Sequence, residues 1–195
     1  RADVLVLAGS IPGSVPDDIY RRIMSEMSGR GIEVVVDATK ELLVNVLEYH
    51  PFLIKPNHHE LGGIFGVELK TREDVIPYAR RMQQMGQGMV LVSMAAAGAV
   101  LVAEDKSVYE TDAPKGILVN GVGAGDSMVA GFLAGWMEKK EYRHAFAMGV
   151  SAGSASAFSE RLAEKKRSWI CIGENLPDHE RFFRRKNLPT VYKGA

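Results

Sequence analysis

The sequence predicts an α/β fold built on a mostly parallel sheet, and three observations carry that reading. Short apolar runs alternate with stretches of helical periodicity from Val4 to Ser159. The runs are continuously apolar, as strands covered on both faces are. Polar residues gather just after the runs end, at the carboxyl edge where open α/β sheets bind ligands. A chain of 195 residues suffices for one such domain and does not require two. Lys+Arg and Asp+Glu both number 24, so no global basic field points to nucleic acid or a membrane surface. No apolar run reaches membrane-spanning length, and the N-terminus lacks a secretory pattern. The single Cys171 excludes an internal disulfide framework and fits a reducing cytoplasm, which is the expected location.

The elements follow in order. Residues 4–9, VLVLAG, read as a buried parallel strand, and its abrupt start leads us to expect chain before residue 1. Gly9 to Gly13 form a loop, after which Ile19, Ile23, Met24 and Met27 mark a helix that Gly29–Gly31 end. Ile32–Asp37 is the next strand, and Thr39–Tyr49 a helix with Leu42, Leu43, Val46 and Leu47 inward. Phe52–Ile54 is a third strand. Pro56 ends it, and Asn57 can cap the short helix beyond. Glu73–Met85 is a longer helix in which Pro77 fixes or kinks the first turns. Met89–Ser93 is a fourth strand, and Ala99–Ala103 with Val108–Thr111 a hairpin. A helix from about Tyr142 to Ser159 is rich in Gly and Ala, which lets another backbone or a flat ligand come close.

Between hairpin and last helix lies the chemistry. Ile117–Asn120 reads as a short buried strand closed by an Asn-Gly turn. Gly121, Gly123 and Gly125 allow a tight turn with no side chain to obstruct a ligand. From Asp126 on, Met128, Val129, Phe132, Leu133 and Trp136 recur at helical spacing. A glycine loop opening a helix presents free N–H groups and the positive dipole end to an anion. The Walker pattern is excluded because the loop has no Lys, and the dinucleotide fingerprint because Asp126 stands where its glycine belongs. Two readings stay open on the loop alone: an anion hole with an acid beside it, or a turn that Asp126 caps. Gly9-Ser10, Asp37, Lys55, Asn57, Glu60 and Ser93 all follow strand ends, on the same edge as Gly123–Asp126. His58 and His59 are expected on different sides of a helix and receive no metal role.

The Gly-Ala-Gly-Asp of residues 123–126 resembles the anion-hole motif of the ribokinase-like sugar kinases, the phosphofructokinase B family. Further segments are similar in the same order: LAGSIPGSVPDDIY, VVVDATKELL, FLIKPNHHEL, LVSMAAAGAVL and SAGSASAFSE. Within the family, LIKPNHHEL and VNGVGAGDSMVAGF look closest to the bacterial 1-phosphofructokinase and tagatose-6-phosphate kinase branch. The resemblance implies a three-layer α/β/α sandwich over residues 1–162, lacking the family's N-terminal strands and β-lid. Residues 163–195 form an atypical tail, expected to be solvated or disordered. Gly121 departs from the Ser or Thr usual in that branch.

The implied activity is transfer of a phosphoryl group from ATP to a primary hydroxyl of a sugar phosphate. Fructose 1-phosphate, giving fructose 1,6-bisphosphate, leads the alternatives of a tagatose 6-phosphate substrate and an inactive nucleotide- or sugar-binding fragment. On this resemblance Asp126 takes the hydroxyl proton, and the amides of Val122, Gly123, Ala124 and Gly125 form the anion hole. Lys55, Asn57, Glu60, Ser93, Gly98, Asn120, Val122 and Gly153 lie along the nucleotide, and Gly9, Ser10 and Asp126 by the sugar. Mg²⁺ is held indirectly, through water, by Asn57 and Glu60, since Mg²⁺ keeps several waters. A homodimer through the lid is also implied.

Overall fold

The structure is a computed structural model that describes residues 3–9, 14–86, 88–163 and 184–185. Strands β1 (Val4–Ala8), β2 (Glu33–Asp37), β3 (Leu53–Ile54) and β4 (Met89–Ser93) pair in parallel and in that order. Strands β5 (Ala99–Val102) and β6 (Val108–Thr111) extend the sheet antiparallel, and the two-residue β7 (Arg184–Arg185) pairs with β6. The sheet is therefore mostly parallel, mixed at one end. Apart from Arg184 and Arg185, the expected tail beyond residue 163 lies outside the described residues.

The helices cover both faces. On one side α1 (Ile19–Met27), α2 (Lys40–Val44), α3 (His58–Phe65) and α4 (Arg72–Gly86) bury Met24, Leu43, Leu61 and Met82 against Val34, Val36, Val90 and Val92. On the other, α5 (Ala124–Lys139) and α6 (Tyr142–Ala157) bury Met128, Phe132 and Phe146 against Val35, Leu53, Met89 and Leu91. Consecutive strand residues thus face opposite layers, which explains why the strands read as unbroken apolar runs. The result is the three-layer α/β/α sandwich. No helix among the described residues is long and apolar enough to cross a membrane.

Helix ends follow local chemistry. Asn57 and Glu60 form a reciprocal capping box on α3: Asn57 Oδ1 accepts the Glu60 N–H at 2.9 Å, and Glu60 Oε2 accepts the Asn57 N–H at 2.7 Å. Thr71 and Asp74 do the same for α4, which continues through Pro77, its sixth residue, at the loss of the hydrogen bond a backbone N–H there would give. Burial of the α5–α6 contact rests on missing side chains. A Cβ at Gly131 would lie 2.6 Å from both the Ala152 Cβ and the Met148 carbonyl oxygen. Gly131→Val should therefore destabilise the domain by at least about 1–3 kcal/mol, read as a lowered denaturant midpoint.

Two expected elements are corrected. Ile117–Asn120 is neither strand nor buried: Ile117, Leu118 and Val119 are 84%, 72% and 52% exposed. The Val119 and Asn120 N–H groups both donate to the Ala157 carbonyl at the end of α6, so a helix terminus occupies the donors a strand partner would take. A four-residue apolar run does not distinguish these outcomes. The helix expected over Thr39–Tyr49 divides into α2 and a 3₁₀ turn, Leu47–Tyr49, that ends with His50 at φ 52°. Asn45 sits at the break, where its side chain disfavours helix interior.

Candidate active site

Parallel pairing builds the site's base. Val36 is opposite Ile54 in the β2–β3 register, so the next residues of each strand, Asp37 and Lys55, emerge side by side. Lys55 Nζ lies 3.0 Å from Asp37 Oδ1, with the two side chains only 7% and 15% exposed. Lys55 is thus a buried partner in an ion pair. Gly9, at φ 96°, follows β1 and donates its N–H to the Asp37 carbonyl at 3.2 Å. Its own carbonyl accepts from the Tyr20 hydroxyl at 3.2 Å. The neighbouring Ser10 lies outside the described residues.

The next connection is held to the same edge. Asn57 bridges to Ser93 at the end of β4, and the Ser93 N–H donates to the Pro56 carbonyl at 3.2 Å. The His58 and His59 rings lie 3.9 Å apart between centroids, tilted by 38°, correcting the expectation that they diverge. Gly98, at φ 91°, makes the turn into β5, where a Cβ would collide with the Thr111 carbonyl oxygen. That position tolerates only glycine.

The glycine loop meets this base from the other layer. Gly123 caps α5 in the left-handed region at φ 76°, so Asp126 is the third helical residue and not the cap. Its carboxylate is exposed in the first turn. A Cβ at Gly125 would stand 3.1 Å from Lys55 Nζ and 4.0 Å from Asp37 Oδ2, so a bare backbone is what lets loop and ion pair touch. Burial pushes the Asp37 carboxyl up; the Lys55 ammonium holds it down, and the negative charges of Asp126 and Glu60 push it up again. Asp37, Lys55, Glu60 and Asp126 therefore share one electrostatic neighbourhood.

The loop's own hydrogen bonds narrow the expected anion hole. The Val122 N–H donates to Asn120 Oδ1 at 3.0 Å, and the Ala124 N–H to the Gly121 carbonyl at 3.3 Å. Asn120 is spent on this turn, with its Nδ2 on the Glu160 carbonyl at 3.4 Å. Gly125 and Asp126 retain first-turn N–H groups that no carbonyl within the helix can reach. Gly153 faces α5, where a Cβ would lie 3.0 Å from the Ala124 carbonyl oxygen. Asp37 is the site residue that sequence reasoning left unassigned. Its signal was present, since two neighbouring parallel strands ending in Asp and Lys place the pair together. A separate cavity of about 420 Å³, lined by Met24, Tyr49, His50 and Phe52, opens at the opposite ends of the strands.

This arrangement, a mostly parallel sheet with an acid and a glycine loop opening a helix at its carboxyl edge, defines a ribokinase-like α/β fold. The pfkB family carbohydrate kinase pattern matches residues 1–167, and the chain belongs to that family. It is 47% identical over 166 residues to the 1-phosphofructokinase of Bacillus subtilis (strain 168), covering 85% of this chain and 54% of that protein. It is 32% identical over 168 residues to the D-tagatose-1-phosphate kinase of Klebsiella oxytoca, again covering 85% and 54%. The structure of Escherichia coli phosphofructokinase-2 in complex with substrates and products superposes with a TM-score of 0.81 at 28% identity, covering 89% of this chain and 58% of that one. The chain spans about half the length of the curated relatives it matches.

Proposed function

We propose that this chain carries the phosphoryl-transfer site of an ATP-dependent sugar-phosphate kinase, with fructose 1-phosphate as acceptor and fructose 1,6-bisphosphate as product. The observation that carries the reading is the convergence of Asp126, the bare Gly125 backbone and the Lys55 ammonium at one sheet edge. Phosphoryl transfer needs little covalent chemistry from a protein; it needs positioned groups and charge stabilisation. The acceptor's primary hydroxyl lies between Asp126 and the terminal phosphate of ATP. Asp126 accepts its proton as the new phosphorus–oxygen bond forms and the bond from the terminal phosphorus to the bridging oxygen breaks, releasing ADP. The N–H groups of Gly125 and Asp126, with the α5 dipole, stabilise the charge on the transferring group. Gly123 and Ala124 shape the turn that aims them. Lys55 adds a cation within reach of the same group.

Mg²⁺ would neutralise charge on the phosphates when bound. Among the described residues no cluster of three or more His, Cys, Asp or Glu forms a dedicated cage. The capping box engages Asn57 Oδ1 and Glu60 Oε2, which fits contact through water better than direct ligation. Ser93 and Gly98 lie along the expected nucleotide path and Gly9 by the sugar, and the helix contact at Gly153 supports at most an indirect role there. A cytoplasmic setting and a homodimer through the lid belong to the same proposal. A tagatose phosphate is the second reading, supported by the Klebsiella relative, whose name specifies the 1-phosphate.

The test is an ADP-release assay with Mg²⁺ and ATP against fructose 1-phosphate, tagatose 1-phosphate, tagatose 6-phosphate, fructose 6-phosphate and ribose. The chain is assayed alone and mixed with the N-terminal half of the Bacillus subtilis relative. Turnover highest on fructose 1-phosphate is expected. Preference for a tagatose phosphate selects the second reading, and silence in both formats reduces the chain to a binding fragment.

A further inference from the structure

We infer that Asp37 is a positioning residue for phosphoryl transfer, holding the Lys55 ammonium against the glycine loop and away from Asp126. The inference rests on the kinase reading above and extends it to a residue that reading does not use.

Lys55 is 6% exposed, so its ammonium requires a fixed partner in place of water. Asp37 Oδ1 supplies one at 3.0 Å. The Asp37 backbone is fixed in turn, paired with Ala8 in the β1–β2 register and accepting the Gly9 N–H at 3.2 Å. The lysine backbone is fixed too, its N–H donating to the Val36 carbonyl at 3.1 Å. Asp37 ends β2 and Lys55 directly follows β3, so both ends of the pair are anchored at the sheet. The place to which Asp37 holds the ammonium is chemically specific: 3.1 Å from where Gly125 would carry a Cβ, beside the first turn of α5.

Asp126 and Glu60 are the other carboxylates whose charge is felt at Asp37, so this one cation sits in a neighbourhood of three acids. An ammonium released by Asp37 would turn to Asp126 or Glu60. Paired with Asp126, it would neutralise the base and withdraw the cation from the anion hole together. Asp37 is thus what keeps acid and cation available to different ends of the transferring group.

The test is nucleotide affinity of the chain by titration calorimetry, using ATP and AMP as probes. Asp37→Ala should weaken ATP about tenfold to a hundredfold, the worth of one charge-assisted hydrogen bond to a phosphate. AMP, which lacks the terminal phosphates near Gly125, should change by less than about twofold on the same argument. Asp37→Asn keeps an oxygen within reach of Lys55 and should restore most of the ATP affinity. Thermal melting verifies the fold, and Asp37→Ser, too short to reach Lys55, replaces Ala if that variant unfolds. Equal loss of ATP and AMP, or ATP affinity unchanged in Asp37→Ala, overturns the positioning role and leaves the kinase reading standing. A native chain that binds neither nucleotide overturns both.

Discussion

Asp126→Asn should lower the rate of phosphoryl transfer by about 10²–10⁴-fold, the usual contribution of a general base. The substitution is isosteric, and Asp126 is an exposed residue in the first turn of α5, so the fold should not change. What it removes is the capacity to accept a proton at the point where the acceptor hydroxyl loses one. Nucleotide affinity should hold or rise slightly, since a negative charge leaves the neighbourhood of the phosphates. Initial rates at saturating ATP, set beside calorimetric ATP affinity, separate the two effects. A loss confined to KM would assign Asp126 to ground-state binding instead.

Lys55→Met should cost about 3–5 kcal/mol of stability at neutral pH, because it strands the Asp37 carboxylate in a largely buried position. The sign of the pH dependence follows from which group is left. Burial already raises the Asp37 carboxyl, and Lys55 is what holds it down, so removing the lysine raises it further. A carboxyl raised in the folded state takes up its proton there before the unfolded chain does. The deficit should therefore be small at a pH below the ordinary carboxylate range. It should open as pH rises past the raised value of Asp37 in the native chain, grow toward the still higher value in the variant, and be complete above that. Urea unfolding of native and variant chains between acid and neutral pH measures it. The double variant Asp37→Asn with Lys55→Met, which leaves no buried charge, should recover most of the loss. A deficit independent of pH would place the cost in lost packing of the lysine stem.

Much of this architecture was legible in the sequence because burial on both faces leaves a blunt signature. Residues such as Val34 and Val35 face opposite layers, so β2 had to be apolar throughout and could be read as a parallel strand. The turn at Asn57 was equally plain, since an Asn three residues before a Glu forms a capping box. The Gly-rich stripe of α6 signalled close approach without naming the partner; at Gly149 and Gly153 it is the backbone of α5. Reading failed where the competing environments share a local pattern. Ile117–Val119 is apolar like a strand, yet the Val119 N–H meets the Ala157 carbonyl at a helix end, a contact set by a residue far along the chain. That the Val122 amide donates to Asn120 within the turn was not legible either, because the loop's backbone path sets that contact. Asp37 was visible as a strand end, but its role depends on a register that only paired strands define.

The proposed role of the Gly123–Asp126 loop is transfer of a phosphoryl group to a sugar phosphate. The measurement that tests it most directly is ³¹P NMR of native and Asp126→Asn protein incubated with Mg²⁺, ATP and fructose 1-phosphate. Each protein is supplied with the N-terminal half of the Bacillus subtilis relative. A second sugar phosphomonoester resonance should grow in step with ADP in the native sample, and about 10²–10⁴-fold more slowly in the variant. ADP without a new sugar phosphate, or equal rates in both samples, would contradict it.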